Sequence, residues 1–295
     1  MTANALPTAA ARPRRKQKNA GLKLFLDILN HGALTLVALA FLFPFFWMVS
    51  NAVRSDAEVL AVPPRLLPTE WQWENFAEAW LRLPFGRFFL NSAIVAGGVT
   101  AITIVVSALA AYAFARLRFP GRDSIFVAYL GTLMIPQVML VIPLFLIVNQ
   151  LGWVNTYQGM ILPMAFSSFG AFLLRQFFLS IPRELEEAAL IDGASRLRIL
   201  VSIIIPLSLP AIGLLALFTF IGQWNNFLWP LVVVNGMEYA TLPLGLSMFQ
   251  TEQGTSWNYI MAGAALSMLP GLVLAVILQQ VIYKGITVGA GFGGR

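Results

Sequence analysis

Uncharged, apolar stretches recur along the chain with the spacing of membrane crossings. Five runs contain no Lys, Arg, Asp or Glu: 28–53, 88–115, 124–174, 199–237 and 253–283. A crossing helix needs about 20 apolar residues, so the third run is long enough for two. Its polar, Gly-containing centre, Asn149-Gln150-Leu151-Gly152-Trp153-Val154-Asn155-Thr156, supplies the turn between them. The fourth run opens on a proline-bearing approach, Pro206 to Pro210, which places the start of its helix near Ala211. The pattern predicts six helices, at 28–50, 87–116, 124–149, 158–181, 210–234 and 260–284, in an all-α integral membrane protein. Pro136, Pro143, Pro163, Pro230 and Pro270 are expected to break or kink these helices unless neighbours satisfy the freed carbonyls.

The longest connection between spans, 51–86, is irregular around Pro63, Pro64 and Pro68. Trp71 to Leu83 then reads as a short helix with Trp73, Phe76, Ala77 and Trp80 on one face. Two readings fit that face: an interfacial helix at the headgroup level, or a docking surface for an external partner.

Composition sharpens the class. Hydrophobic residues make up 58% of the chain and charged residues 11%, with a mean hydropathy of +0.77. A chain this apolar cannot cover a globule of its own size with polar surface, which excludes an ordinary cytosolic enzyme, a disordered protein and a secreted disulfide scaffold. The absence of cysteine excludes thiolate metal sites and disulfides, and the one histidine, His31, provides no cluster for a metal. The net charge of +6 does not point to nucleic acid, because the basic residues are not gathered on a soluble domain.

Their distribution instead sets an orientation. Arg12, Arg14, Arg15, Lys16, Lys18 and Lys23 precede the first helix, and Arg116, Arg118 and Arg122 follow the second. Arg175, Arg183, Arg196 and Arg198 flank the connection after the fourth, and Lys284 and Arg295 follow the sixth. The other side carries only Arg54, Arg65, Arg82 and Arg87. Because Lys and Arg collect on cytoplasmic loops, both termini are expected in the cytoplasm. The basic tail also has the look of a signal-peptide n-region, but the apolar run after it is long and no small-residue cleavage site follows Phe46 and Trp47, so it reads as a retained anchor.

Several chemistries are missing. No lysine follows a glycine as a phosphate loop requires, and there is neither a G-x-S-x-G elbow nor an H-E-x-x-H pair. No carboxylate lies inside the apolar runs to relay protons or bind sodium. The chain is therefore read as a non-enzyme that binds no cofactor itself, with a polar but uncharged lining suited to a neutral solute.

The most informative segment is Ser180-Ile181-Pro182-Arg183-Glu184-Leu185-Glu186-Glu187-Ala188-Ala189-Leu190-Ile191-Asp192-Gly193-Ala194-Ser195. Ser180 is suited to cap a helix, and Pro182 is tolerated in its first turn. Glu184, Glu186 and Glu187 complement the positive helix end, and Gly193 is suited to the left-handed conformation that ends a helix. Leu185, Ala188, Ala189 and Asp192 share one face, built mostly of methyl groups. Such a helix either lies on the membrane surface or is approached closely by another protein.

These residues carry a resemblance. Glu187-Ala188-Ala189, then Gly193, then an apolar run to Pro206, resembles the EAA motif of ABC importer inner-membrane subunits. The likeness extends over most of the chain: Asn91-Ser92, Ala111-Tyr112-Ala113-Phe114-Ala115-Arg116, Ile142-Pro143-Leu144-Phe145, Phe172-Leu173-Leu174-Arg175-Gln176-Phe177-Phe178, Trp224-Asn225 and Thr241-Leu242-Pro243 are similar to permease subunits of carbohydrate-uptake importers. Glycerol-phosphate importers share the pattern. The end departs from it: Gly285-Ile286-Thr287-Val288-Gly289-Ala290 is followed by Gly291-Phe292-Gly293-Gly294-Arg295 rather than a Lys-Gly pair, which removes support for tail contacts with the ATPase.

The resemblance implies a MetI-like permease fold of six transmembrane helices. It implies a basic cytoplasmic tail at 1–27, a transmembrane permease domain at 28–284 with a cytoplasmic coupling loop at 182–210, and a cytoplasmic tail at 285–295. Glu187, Ala188, Ala189, Asp192, Gly193 and Ala194 become the ATPase-coupling residues. The implied partners are a second, non-identical permease, two copies of an ATP-binding subunit that holds ATP and Mg, and an external solute-binding protein. Membrane lipid and a saccharide substrate complete the set, in the cytoplasmic membrane of a bacterium or archaeon.

Asn91, Ser92, Gln137, Gln223, Asn225 and Asn226 are polar groups at membrane depth or its edge. They serve either helix–helix hydrogen bonding or a wet sugar path. Asn91, Gln137, Gln223, Trp224, Asn225 and Asn226 are the candidates for the path. The rival readings are a permease for glycerol phosphate or another non-sugar solute, and a stand-alone channel or secondary carrier.

Overall fold

The computed structural model describes the backbone of residues 20–251 and 254–292, and the side chains of 24–250, 255–277 and 279. Arg12, Arg14, Arg15, Lys16, Lys18 and Arg295 lie outside the described residues, as do the side chains of Lys23 and Lys284 and of the tail segment 285–295. The chain divides into two compact units, 1–47 and 48–295.

Over its described residues the first unit is helical, the opening part of α1 (Ala20–Ala52). Its apolar window from Leu24 has the length and hydropathy of a crossing. Pro44 lies inside the helix without ending it. His31 Nδ1 donates to the carbonyl of Asp27, one turn back, at 2.7 Å.

The second unit is built around α3 (Phe85–Arg116), which follows the short α2 (Glu74–Arg82). Buried positions on α3 recur every three or four residues: Phe88, Ser92, Ala96, Val99, Thr103, Ser107, Ala111 and Ala115. Most are small. In lipid there is no hydrophobic force between helices, so close backbone approach by small residues supplies the packing.

Two bent pairs follow. The first joins α4 (Arg122–Gly131) through a 3₁₀ turn to α5 (Val141–Gln150), with a 91° bend at Ile135-Pro136. The second joins Tyr157–Met164 to α6 (Ser168–Ser180) with a 48° bend just after Pro163. After α7 (Glu184–Ile191), the segment 196–207 carries a π-helical stretch at Leu200–Ile204 and turns 79° at Ser208 into α8 (Leu209–Trp224). Prolines at 206 and 210 flank that turn and deny the helix its N–H groups.

Counting each bent pair as one span, the described residues hold six crossings: three unbroken helices and three pairs. Counted as a pair, the fifth runs 196–224, where 210–234 was expected. α8 stops at Trp224, residues 225–227 leave the helix, and α9 (Leu228–Val233) resumes it. α10 (Trp257–Phe292) continues helical backbone into the segment expected as a tail, past Pro270 inside it. A two-residue antiparallel ladder, Gln250 opposite Thr255 and Thr251 opposite Gly254, stands where only loop was expected.

α3 packs along α6 and α8, and α8 packs along α10. Where α6 crosses α3 and α8, a methyl added to Gly170 would lie 2.5 Å from Ser107 Oγ and 3.1 Å from Leu215. The apolar interior forms separate clusters. One gathers Phe88, Val99, Met160, Trp224, Trp229 and Leu242. Another, at the arginine-rich end, gathers Ala111, Tyr112, Leu174, Phe178, Ile199 and Leu215.

Candidate functional site

The surface helix α7 is built from local rules. Its first turn closes on the carbonyl of Arg183, which accepts from the N–H groups of Glu186 and Glu187, both at 3.0 Å. Ser180 does not cap it, contrary to the expectation from its position. Its hydroxyl turns back to donate to the carbonyl of Phe177 at 2.7 Å, because Ser180 is still the last residue of α6. The chain must pass Ile181-Pro182 before α7 begins, which puts Ser180 out of reach.

The far end is a Schellman turn. Gly193 has φ +79°, its N–H bonds to Leu190 O at 3.0 Å, and Ala194 N–H bonds to Ala189 O at 2.9 Å. The expected left-handed glycine is therefore in place. Ser195 then caps the next turn, accepting from Arg198 N–H at 3.3 Å.

α7 turns most of its surface outward. Leu185, Glu187, Ala188, Leu190, Ile191 and Asp192 are exposed, and Ile191 is 87% so. Ala189 and Ala194 are half-buried against the neighbouring apolar cluster. The one buried residue of α7 is Glu186. Its Oε1 faces Nε of Arg116 at 2.6 Å, and the two side chains are 6% and 3% exposed. The two atoms meet as a charge contact rather than an aligned hydrogen bond. An open cavity of about 530 Å³ beside the pair is lined by Arg116, Arg118, Arg183, Glu187 and Arg196 among others.

The sequence marks Glu186 as a first-turn acid and Arg116 as a cytoplasmic-side cation, but gives neither of them, nor Ile191, a place in the site. A signal did exist for the pair: adjacent glutamates on a helix point about 100° apart, so Glu186 and Glu187 cannot share a face.

The candidate path residues separate into two kinds. Asn91 is 1% exposed and fully engaged: its Nδ2 donates to Glu238 O at 3.0 Å and Ala240 O at 2.9 Å, while Oδ1 accepts from the Tyr157 hydroxyl at 2.7 Å. Ser92 Oγ accepts from Leu242 N–H at 2.8 Å. Trp224 is buried too; its Nε1 donates to Ser267 O at 2.8 Å and its ring stacks on Phe220. The other residues are more open. Asn225 is exposed and bonds Ile221 O at 2.9 Å; Gln223 and Asn226 are half-buried and bond each other at 3.2 Å. Gln137 is exposed, with Nε2 directed at Met164 Sδ at 3.3 Å. Among the described residues, no group of three His, Asp or Glu could hold a metal ion.

On the short helix α2, Asn75 and Ala79 are buried, not the aromatic face. Asn75 Nδ2 donates to Ala52 O at 2.9 Å and Arg54 O at 2.8 Å. The rings of Trp71, Trp73 and Phe76 stack in series with Trp71 and Trp73 exposed. Glu78 bonds the Tyr259 hydroxyl and pairs with Arg82 at 3.2 Å.

Six apolar crossings, three of them bent, with a short surface helix at an arginine-rich end, are the frame of a multi-span membrane protein. The model of binding-protein-dependent transport system inner membrane components matches residues 103–288, and the chain belongs to that family. The sn-glycerol-3-phosphate transport system permease protein UgpE of Pectobacterium atrosepticum is 37% identical over 269 residues, 88% of this chain and 96% of that protein. The trehalose/maltose transport system permease protein MalG of Thermococcus litoralis is 38% identical over 260 residues, 86% of this chain and 93% of that protein. Among solved structures, a chain of a bacterial ABC transporter involved in import of the acidic polysaccharide alginate superposes with a TM-score of 0.76 at 24% identity, covering 91% of this chain and 99% of that one. The fold is thus that of ABC importer permeases, and the protein is a permease subunit of an ABC importer.

Proposed function

We propose that this subunit forms half of a saccharide path and couples it to a separate ATPase through α7, with both termini in the cytoplasm. The observation that carries the reading is α7 itself. It is a short helix held from below by one buried carboxylate and closed by a Schellman turn. Its outer face is made of Leu185, Ala188 and Ile191. Exposed apolar groups of this size on a fixed helix suit insertion into a cleft of another protein. Glu187, Asp192 and Gly193 flank that contact. The ATP-binding subunits bring the nucleotide and Mg; a second permease and an external solute-binding protein complete the assembly.

Asn225 follows the end of α8, and with Gln223, Asn226 and Gln137 it offers amides without charge to the path. Asn91 and Trp224 brace the wall behind them through the ties described above. A neutral, hydroxyl-rich solute fits this lining better than a phosphate ester, because the apolar runs carry no Lys or Arg.

The test is uptake in proteoliposomes holding all the subunits, with saccharides and sn-glycerol 3-phosphate as competing solutes. ATP-dependent saccharide uptake is expected, and none from this chain alone. Uptake of glycerol phosphate only would overturn the solute assignment. Uptake by the chain alone would overturn the coupling reading, since the path would then open without the ATPase.

A further inference from the structure

Resting on the coupling role proposed for α7, we infer that Arg116 and Glu186 form the joint through which α7 moves the crossings. Both are positioning residues; neither touches nucleotide or solute. Arg116 is the last residue of α3. Its guanidinium meets Glu186 at 2.6 Å and donates from one terminal nitrogen to Phe178 O at 2.6 Å and Ile181 O at 2.7 Å. Phe178 lies in the last turn of α6 and Ile181 just past its end, so the guanidinium binds both the helix terminus, with its partial negative charge, and the chain leaving it. One side chain therefore ties three elements: the end of α3, the end of α6, and α7. Arg175 Nε adds a second link from α6 to α3, donating to Phe114 O at 3.3 Å.

The chemistry makes this joint stiff. Two buried charges are stable only together, since either one alone is an uncompensated charge out of water. The guanidinium is planar, so its hydrogen bonds to two carbonyls fix its direction, and the carboxylate is held beside it by charge at 2.6 Å. An apolar contact could slide under load; this one has to move as a body or open entirely. Glu186 is also the only buried residue of α7, with Ala189 and Ala194 packed half-buried beside it. The neighbouring glutamates divide the work, Glu187 facing outward to the partner and Glu186 inward to Arg116.

Two measurements on the complete complex test the joint. In the first, Glu186→Gln, Arg116→Gln and the double variant are reconstituted, and ATPase retained on purification, ATP hydrolysis and solute imported per ATP are recorded. A purely structural role lowers assembly, uptake and hydrolysis together and leaves the ratio unchanged. The joint predicts that Glu186→Gln assembles but imports about tenfold less solute per ATP, or lower still. It also predicts that the double variant is no worse than the poorer single one, as expected when two residues act as one unit. An unchanged ratio at normal assembly, or losses that multiply in the double variant, would overturn it.

The second measurement needs no damaged variant. The chain has no cysteine, so exposed positions 184 on α7 and 118 just past α3 accept spin labels through Glu184→Cys and Arg118→Cys. Their separation is expected to stay the same in nucleotide-free and ATP-bound complexes. A change beyond the spread of the labels would mean that α7 moves on α3, and the joint would be wrong even if Glu186→Gln failed to assemble. A wild-type complex without ATP-driven uptake counts instead against the coupling reading itself.

Discussion

Asn91 and Asn225 show how the same side chain serves different ends at different depths of burial. Asn91 closes three hydrogen bonds in a space 1% exposed, linking α3 to the 238–240 segment and to Tyr157. Asn225 is exposed and makes one bond within its own helix end. Asn91→Ala strands two carbonyls and a hydroxyl, and is expected to cost about 2–3 kcal/mol of stability, read as earlier thermal unfolding in detergent. Asn225→Ala is expected to stay within about 0.5 kcal/mol and to change uptake at normal abundance. Equal unfolding temperatures for the two variants would contradict the assignment of Asn91 as a brace. Sequence could nominate both residues, because amides at membrane depth need partners. It could not sort them, because the partners of Asn91 lie about 66 and 147–149 residues away along the chain.

Elements were legible where one rule governed them. The left-handed Gly193 and the glutamates of the first turn of α7 follow from local chemistry, and the structure shows both. Pro136 and the pair Pro206 and Pro210 stand at sharp bends as backbone sterics require, whereas Pro44 and Pro270 lie within continuous helix. Ser180 ends α6 instead of capping α7, because the cap rule does not say which of two adjoining helices owns a residue. On α2 the apolar face was legible, and Trp73 and Trp80 stay exposed on it; what the pattern could not show is that Asn75 takes the interior, where it satisfies two carbonyls. Two predictions belong here. Ala188→Trp places bulk on the outer face of α7 and is expected to weaken ATPase docking by about five- to a hundredfold, from about 1–3 kcal/mol of overpacking. Abundance in the membrane should be unchanged. The second concerns pH. The bond from Tyr259, with help from Arg82, holds the Glu78 carboxyl below the usual carboxylate range. A lowered value means that the contribution of Glu78 to the contact between α2 and α10 is present at neutral pH and is lost as pH falls through that depressed value. Protease protection of 74–82 is therefore expected to persist through mildly acidic pH and then to fall, and Glu78→Gln to remove this dependence.

At the scale of the whole molecule, six crossings were readable because membrane solvation imposes one length on all of them. The three bends were not readable as angles, since each depends on what packs across it. Orientation rests on fifteen of the nineteen Lys and Arg residues falling on one side. A reporter active only outside the cytoplasm is expected to be active when fused at 70 or 245 and silent at 195; activity at 195 would reverse the orientation.

The bend at Ile135-Pro136 has a consequence for the lipid around the protein. Each arm of that crossing, 122–134 and 137–150, spans about 20 Å, less than the roughly 30 Å of hydrocarbon, so the corner falls inside the bilayer. Residues 131–140 are all exposed on this chain, Met134 by 86%. Backbone that leaves the helix at that depth cannot be solvated by acyl tails. The annulus of boundary lipid must therefore be interrupted at this corner, and a photoreactive acyl chain should label the long uninterrupted helices while sparing 133–139.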